Sequence, residues 1–104
     1  MSLPELDPEA RAAALDKARR SRRVRAELKQ MLKSGEVTLA EVLARAGDAD
    51  AIGKMRVADV LAALPAIGKV KAARLMDEVG IADGRRVQGL GPRQREALLE
   101  RFDA

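Results

Sequence analysis

At 104 residues, with 47% of them apolar and Phe102 as the single aromatic, the chain has the size of one small domain with an aliphatic core. It contains no cysteine and no histidine, which excludes disulfides, thiolate nucleophiles, the usual zinc ligands and the commonest general base near neutral pH. The net charge of +4 is unevenly spread, since residues 17–33 hold eight bases and one acid. Concentrated positive charge is what a polyanion selects.

Val and Ile are scattered rather than alternating, so no strand pattern competes and an all-α fold is expected. Residues 1–6 read as extended and mobile. Asp7-Pro8-Glu9 starts a helix, with an acid as N-cap and Pro at the first helical position. The helix is expected to run to about Lys33 and to stop at Ser34-Gly35. From Val24 onwards, Leu28, Met31 and Leu32 form a stripe able to dock. From Glu9 to Arg23 the only large apolar residue is Leu15, so that half is expected to project or to lie on a partner. It carries Lys17, Arg19, Arg20, Arg22, Arg23 and Arg25, six bases within nine residues. A solvated face accounts for such a run. A nucleic-acid-contacting arm accounts for it better, because that face has almost no apolar cover. The arm also lacks the apolar stripe that membrane binding requires.

Thr38-Leu39-Ala40-Glu41 is a capping box opening a short helix that ends at Gly47, with Leu39, Val42 and Leu43 inward. Asp48 to Met55 reads as a connection with one helical turn. Gly53-Lys54 lacks both the glycine spacing and the following Ser or Thr of a P-loop, so nucleotide hydrolysis is rejected.

Val57, Val60, Leu61 and Leu64 mark a helix that Pro65 cannot continue. A second pattern, Ala72, Leu75, Met76 and Val79, begins after Gly68 and ends near Gly80. A hairpin this tight leaves the first N–H groups of the second helix unpaired. Gly68 permits close approach of a ligand to the backbone, and Lys69 and Lys71 stand beside it. Such a helix start suits a phosphate, as in a helix-hairpin-helix-like nucleic-acid binder. Taken alone, the eight residues Leu64–Lys71 also fit an ordinary αα-corner.

Ile81 to Gly91 reads as a loop carrying Arg85 and Arg86. Gly91-Pro92 opens a last helix, docked through Ala97, Leu98, Leu99 and Phe102. Arg93, Gln94 and Arg95 fall in its first turn, where the helix dipole repels cations and a phosphate would reverse the sign.

These residues together resemble the actinobacterial-type integration host factor over essentially the whole chain. The matches include Leu3-Pro4, Arg11–Leu15, Arg25–Lys29, Gly53-Lys54-Met55, Leu64-Pro65 with Gly68-Lys69-Val70, Arg85-Arg86 and Gly89-Leu90-Gly91. The resemblance implies one DNA-binding domain, residues 1–104: a basic N-terminal helix over 1–33 and a compact helical body with a helix-two-turn-helix motif over 36–104. It also implies a nucleoid-associated, cytoplasmic protein that binds double-stranded DNA at and near the minor groove. Such a protein bends or compacts DNA and supports transcription control and site-specific recombination, with a recombinase as partner on the DNA. The first DNA surface would be Pro65, Ile67, Gly68, Lys69, Val70, Lys71 and Arg74. The second would be Arg85, Arg86, Gly89, Gly91, Pro92, Arg93, Gln94 and Arg95. Lys17 to Arg25 would supply a further contact. Gln88 stands where Arg-Arg-x-Arg would have a base, and Pro92 replaces a polar residue.

A monomer without metal, cofactor or catalytic residue is expected. Few side chains suit major-groove reading, so most contacts should position the protein rather than specify a base. An RNA- or ribosome-associated protein is the nearest alternative. A repair enzyme fits less well, because Asp59, Asp77 and Glu78 read as solvated helix faces and no room remains for a base pocket. A protein-only scaffold would leave the charge clusters without a ligand.

Overall fold

The computed structural model describes residues 7–47 and 49–102, so the expectation for residues 1–6 lies outside the described residues. Among the described residues six helices follow in order: α1 (Pro8–Ser34), α2 (Leu39–Arg45), α3 (Asp50–Gly53), α4 (Val57–Ala63), α5 (Gly68–Val79) and α6 (Pro92–Phe102). A 3-10 turn, Val87–Gly89, precedes α6. The fold is all-α, as its apolar periodicity predicts.

Local chemistry sets most helix ends. The Asp7 carboxylate accepts from the Ala10 N–H at 2.6 Å, and Pro8 opens α1. Gly35, at φ 81°, closes the helix and donates back to the Leu32 carbonyl. Thr38 and Glu41 satisfy each other's backbone N–H groups in a complete capping box. Gly80, at φ 82°, ends α5 in the left-handed conformation that glycine adopts at least cost.

The core is aliphatic and draws on every layer. Leu32 of α1, Val42 of α2, Val60 and Leu61 of α4, Met76 of α5, Val87 of the 3-10 turn and Leu98 of α6 are fully buried. Each such side chain contributes about 1.5–3 kcal/mol relative to exposure. No polar or charged side chain is buried among the described residues. The α4–α5 pair forms the most extensive helix contact, and α1 packs on α3 and α4.

The two halves of α1 differ as their apolar content demands. Leu28 and Leu32 are buried, whereas residues 7–20 are exposed throughout and Leu15 is 52% exposed. Val24 stays outside the core at 39% exposure, so the docked stripe begins one turn later than the sequence suggests. A helix of 27 residues is about 40 Å long, which accounts for most of the 54 Å long axis.

Residues 81–91 are more ordered than a plain loop. Arg56 and Arg86 form an antiparallel bridge, with Val57 N–H donating to the Arg85 carbonyl at 3.0 Å and Val87 N–H to the Met55 carbonyl at 2.9 Å. One isolated bridge leaves no periodic trace in the sequence.

Candidate nucleic-acid interface

The hairpin between α4 and α5 is built by three successive backbone choices. Pro65 forces Leu64 into an extended conformation (φ −65°, ψ 148°), ending α4. The Leu64 carbonyl then accepts from the Ile67 N–H at 3.2 Å, closing a turn with Pro65 second and Ala66 third. Ala66 has φ 62°, as the third position of a type II turn requires. Gly68, at φ 68°, opens α5 with open space where a Cβ would stand. No side chain caps α5 and no acid lies in its first turn, so its positive end faces outwards. Lys69, Lys71 and Arg74 are exposed around it, and Val70 is 74% exposed.

The other bases fall into two groups that the sequence does not distinguish. Arg86 shares a depression of about 250 Å³ with Arg25, Lys29, Lys54 and Arg56, with Asp59 as the sole acid in its lining. The Arg86 guanidinium donates to the Lys54 carbonyl, which holds the side chain in that wall. Arg85, its neighbour, points elsewhere: it donates to the Gly89 carbonyl at 3.1 Å. Adjacent residues beside a bridge face opposite ways.

Residues 92–95 occupy the opposite end of α5. Gln94 donates to the Gly80 carbonyl at 3.0 Å, while its own carbonyl accepts from the Gly91 N–H at 3.0 Å. The start of α6 is thereby tied to the C-terminal end of α5. Twelve residues of helix, about 18 Å, separate it from Gly68. The hairpin and the Arg93–Arg95 turn are therefore distinct surfaces. Arg95 shares an apolar groove with Leu99, Glu96 and Glu100, whereas Arg93 is exposed.

Residues 32–102 match the S13-like H2TH domain family. The chain is 55% identical to the integration host factor of Mycolicibacterium smegmatis over 103 residues, covering 99% of this chain and 98% of that protein. The chain belongs to the actinobacterial integration host factor family. It is also 55% identical to the integration host factor of Mycobacterium tuberculosis over 98% of this chain and 97% of that one. The Streptomyces coelicolor integration host factor is 48% identical, over 98% and 95% respectively. A solved structure of sIHF bound to an 8 bp palindromic DNA superposes with a TM-score of 0.82 at 44% identity, covering 84% of this chain and 98% of that one.

Within this integration host factor fold, the residues expected to bind divide by location. Pro65, Ile67, Gly68, Lys69, Val70, Lys71 and Arg74 do share the hairpin and the exposed face that follows it. Gly89 and Gly91 serve the local fold: Gly89 accepts from Arg85, and Gly91 is the residue before Pro92 whose N–H Gln94 caps. Gln94 is a structural clamp, with its carbonyl and one N–H both engaged inside the domain. Of the arm cations, Lys17, Arg19, Arg20, Arg22 and Arg23 are exposed, and Arg19 lies 3.9 Å from Asp16. Arg25 is half-buried against the body. Gln88 cannot be read as a missing contact alone: its side chain packs on Gly53, where a Cβ would stand 3.1 Å from Gln88 Oε1.

Sequence reasoning missed Lys29, Lys54 and Arg56 as members of a cationic cluster. Arg25, Lys29 and Lys33 do stand at intervals of four, one face of a helix, and that signal was available. Lys54 and Arg56 join them only through a chain reversal about 30 residues long, which no local pattern encodes.

Among the described residues there is no group of three or more His, Cys, Asp or Glu able to hold a metal. None of their helices is long and apolar enough to cross a membrane.

Proposed function

We propose that this chain is a non-enzymatic, nucleoid-associated protein that binds duplex DNA with low sequence specificity through phosphate-backbone and minor-groove contacts. It bends or compacts the DNA, and in doing so assists site-specific recombination and transcription control. It acts as a monomer. The observation that carries the reading is the α5 N-terminus, uncapped and free of acids, with Gly68 at its start and Lys69 and Lys71 beside it. Exposed helix-start amides and flanking ammonium groups complement a phosphate, and they read no base. Membership of the integration host factor family and the likeness to sIHF, whose structure holds DNA, support the same reading. Val70 adds an exposed apolar contact suited to sugar edges.

The basic surfaces present ammonium and guanidinium groups and no stacking aromatic, so any preference among duplexes comes from groove width and deformability. The test is the affinity of wild type and Lys69→Glu for a random duplex across salt concentrations, with structured RNA as competitor. Binding that falls steeply with salt and weakens in the variant for every sequence is expected. Tighter binding to RNA at equal salt would overturn the choice of ligand.

A further inference from the structure

The described residues include three hydroxyl side chains, Ser21, Ser34 and Thr38, and two of them finish helices. Ser34 donates to the Met31 carbonyl at the end of α1, and Thr38 accepts from the Glu41 N–H at the start of α2. Ser21 sits in the middle of α1, where serine supplies neither a cap nor apolar cover and is a weaker helix former than alanine. Arg19 and Arg20 precede it, and Arg22 and Arg23 follow it. A hydroxyl framed by guanidinium groups complements the acidic substrate groove of a protein kinase that selects basic sequences.

The surroundings of Ser21 suit the phosphate such a kinase would leave. The residue is partly exposed and lines a recess of about 330 Å³ between α1 and α3. Lys17 and Arg25 stand four residues to either side of it on one helix face, and Arg22 and Lys54 complete the cationic lining. Asp50 is the one carboxylate in that lining, and it pairs with Lys54 at 3.1 Å. A phosphoserine carries a charge of about −1.5 to −2 and three strong acceptor oxygens. At this position it meets cations from two elements, and it relieves the repulsion among the bases of the arm. Residues 7–20 bury no side chain, so the helix beside Ser21 opens locally at little cost and gives a kinase extended chain.

We propose that Ser21 is a phosphorylation site whose phosphate is held by Lys17, Arg25 and Lys54, so that modification fastens α1 to α3 and withdraws cations of the arm from DNA. The donor is ATP and the catalyst a separate serine/threonine kinase. The Ser21 Oγ–phosphorus bond forms as the bond from the γ-phosphorus to the β,γ-bridging oxygen breaks. ADP leaves, and the hydroxyl proton passes to the kinase's carboxylate base. The inference rests on the reading of the chain as a duplex-DNA binder.

Two measurements test it. The full chain and a peptide of residues 14–28 are each incubated with labelled ATP and a kinase that selects arginine at the two preceding positions. Label mapped to Ser21 is expected in both, and label on the peptide alone, or on neither, overturns the site. The full chain with phosphoserine installed at position 21 is then compared with the unmodified chain on a random-sequence duplex. Phosphorylation should lower the salt slope by about 1.8 and weaken binding roughly tenfold or more at about 50 mM salt. It should also raise the thermal midpoint of the free protein by about 2–4 °C. Lys54→Ala should shrink that rise, and Lys17→Ala takes its place if Lys54→Ala does not fold. Unchanged affinity, or a midpoint that does not rise, overturns the proposal. If phosphorylation changes nothing while Lys69→Glu weakens binding, the reading of the hairpin survives alone. An unmodified chain that binds no duplex at low salt removes that reading itself.

Discussion

Arg56 and Arg86 face each other directly across an antiparallel bridge, in the pairing where the two residues exchange no backbone hydrogen bond and side chains approach most closely. Arg86 is held by the Lys54 carbonyl, so the repulsion between the two is built into the folded chain. Arg56→Glu converts a like-charge pair into an opposite one. It should therefore stabilise the free protein by roughly 0.2–1 kcal/mol at low salt while weakening duplex binding. Thermal melts without DNA and titrations with DNA should move in opposite directions, and a variant that gains both contradicts the account.

Gly53 is buried, and a Cβ there would stand 2.8 Å from the Ala46 carbonyl oxygen and 3.1 Å from Gln88 Oε1. The nearer atom is backbone and cannot swing aside. Gly53→Ala should cost roughly 1–3 kcal/mol in denaturant unfolding through overpacking. Gln88→Ala in the same chain should recover only part of that loss, because the carbonyl contact remains.

Gln94 joins two helices through its amide, donating to Gly80 and accepting from Gly91. Gln94→Ala should lower stability by about 1–2 kcal/mol, since both backbone groups lose their partner. Under conditions where the variant is fully folded, its duplex affinity should equal that of wild type. A selective loss of affinity without destabilisation would instead mark Gln94 as a DNA contact.

Ala66 occupies a positive φ that L-residues adopt only at a cost, and Gly68 occupies another. Ala66→Gly should stabilise the hairpin by up to about 1 kcal/mol, the strain relieved outweighing the entropy added to the unfolded chain. Gly68→Ala should do the reverse, destabilising by about 1 kcal/mol and weakening DNA binding at the α5 start. Equal melting temperatures for both variants and wild type would show that the turn is not strained.

The arm has no part in the core. Residues 7–20 are exposed throughout, so a chain lacking residues 1–20 should unfold cooperatively with nearly unchanged stability. Its affinity for duplex DNA should fall, with a shallower salt dependence, because Lys17, Arg19 and Arg20 are gone.

Helix boundaries and the hairpin were legible from residues close in sequence. Asp7-Pro8, the Thr38–Glu41 box, Gly35, Pro65 and Gly80 each act on backbone groups within four or five positions, and short-range hydrogen bonding is what such signals encode. The same holds for the half of α1 that projects, whose lack of large apolar residues by itself denies it a place in the core. The partnership of charges was not legible in this way. Arg85 and Arg86 look equivalent in the chain, yet one turns to Gly89 and the other to Lys54, because the bridge to Arg56 sends neighbouring side chains to opposite faces. Arg93 and Arg95 give no sign in the chain of their place relative to the hairpin, which α5 and the Gln94 clamp set by holding them at the opposite end of that helix. The sequence alone determined an all-helical chain with a basic arm and a phosphate-suited turn. Only the packing of α1 on α3 and α4, and of residues 85–87 against 55–57, decided which cations act together, because such electrostatics depend on distance in space and not on separation along the chain.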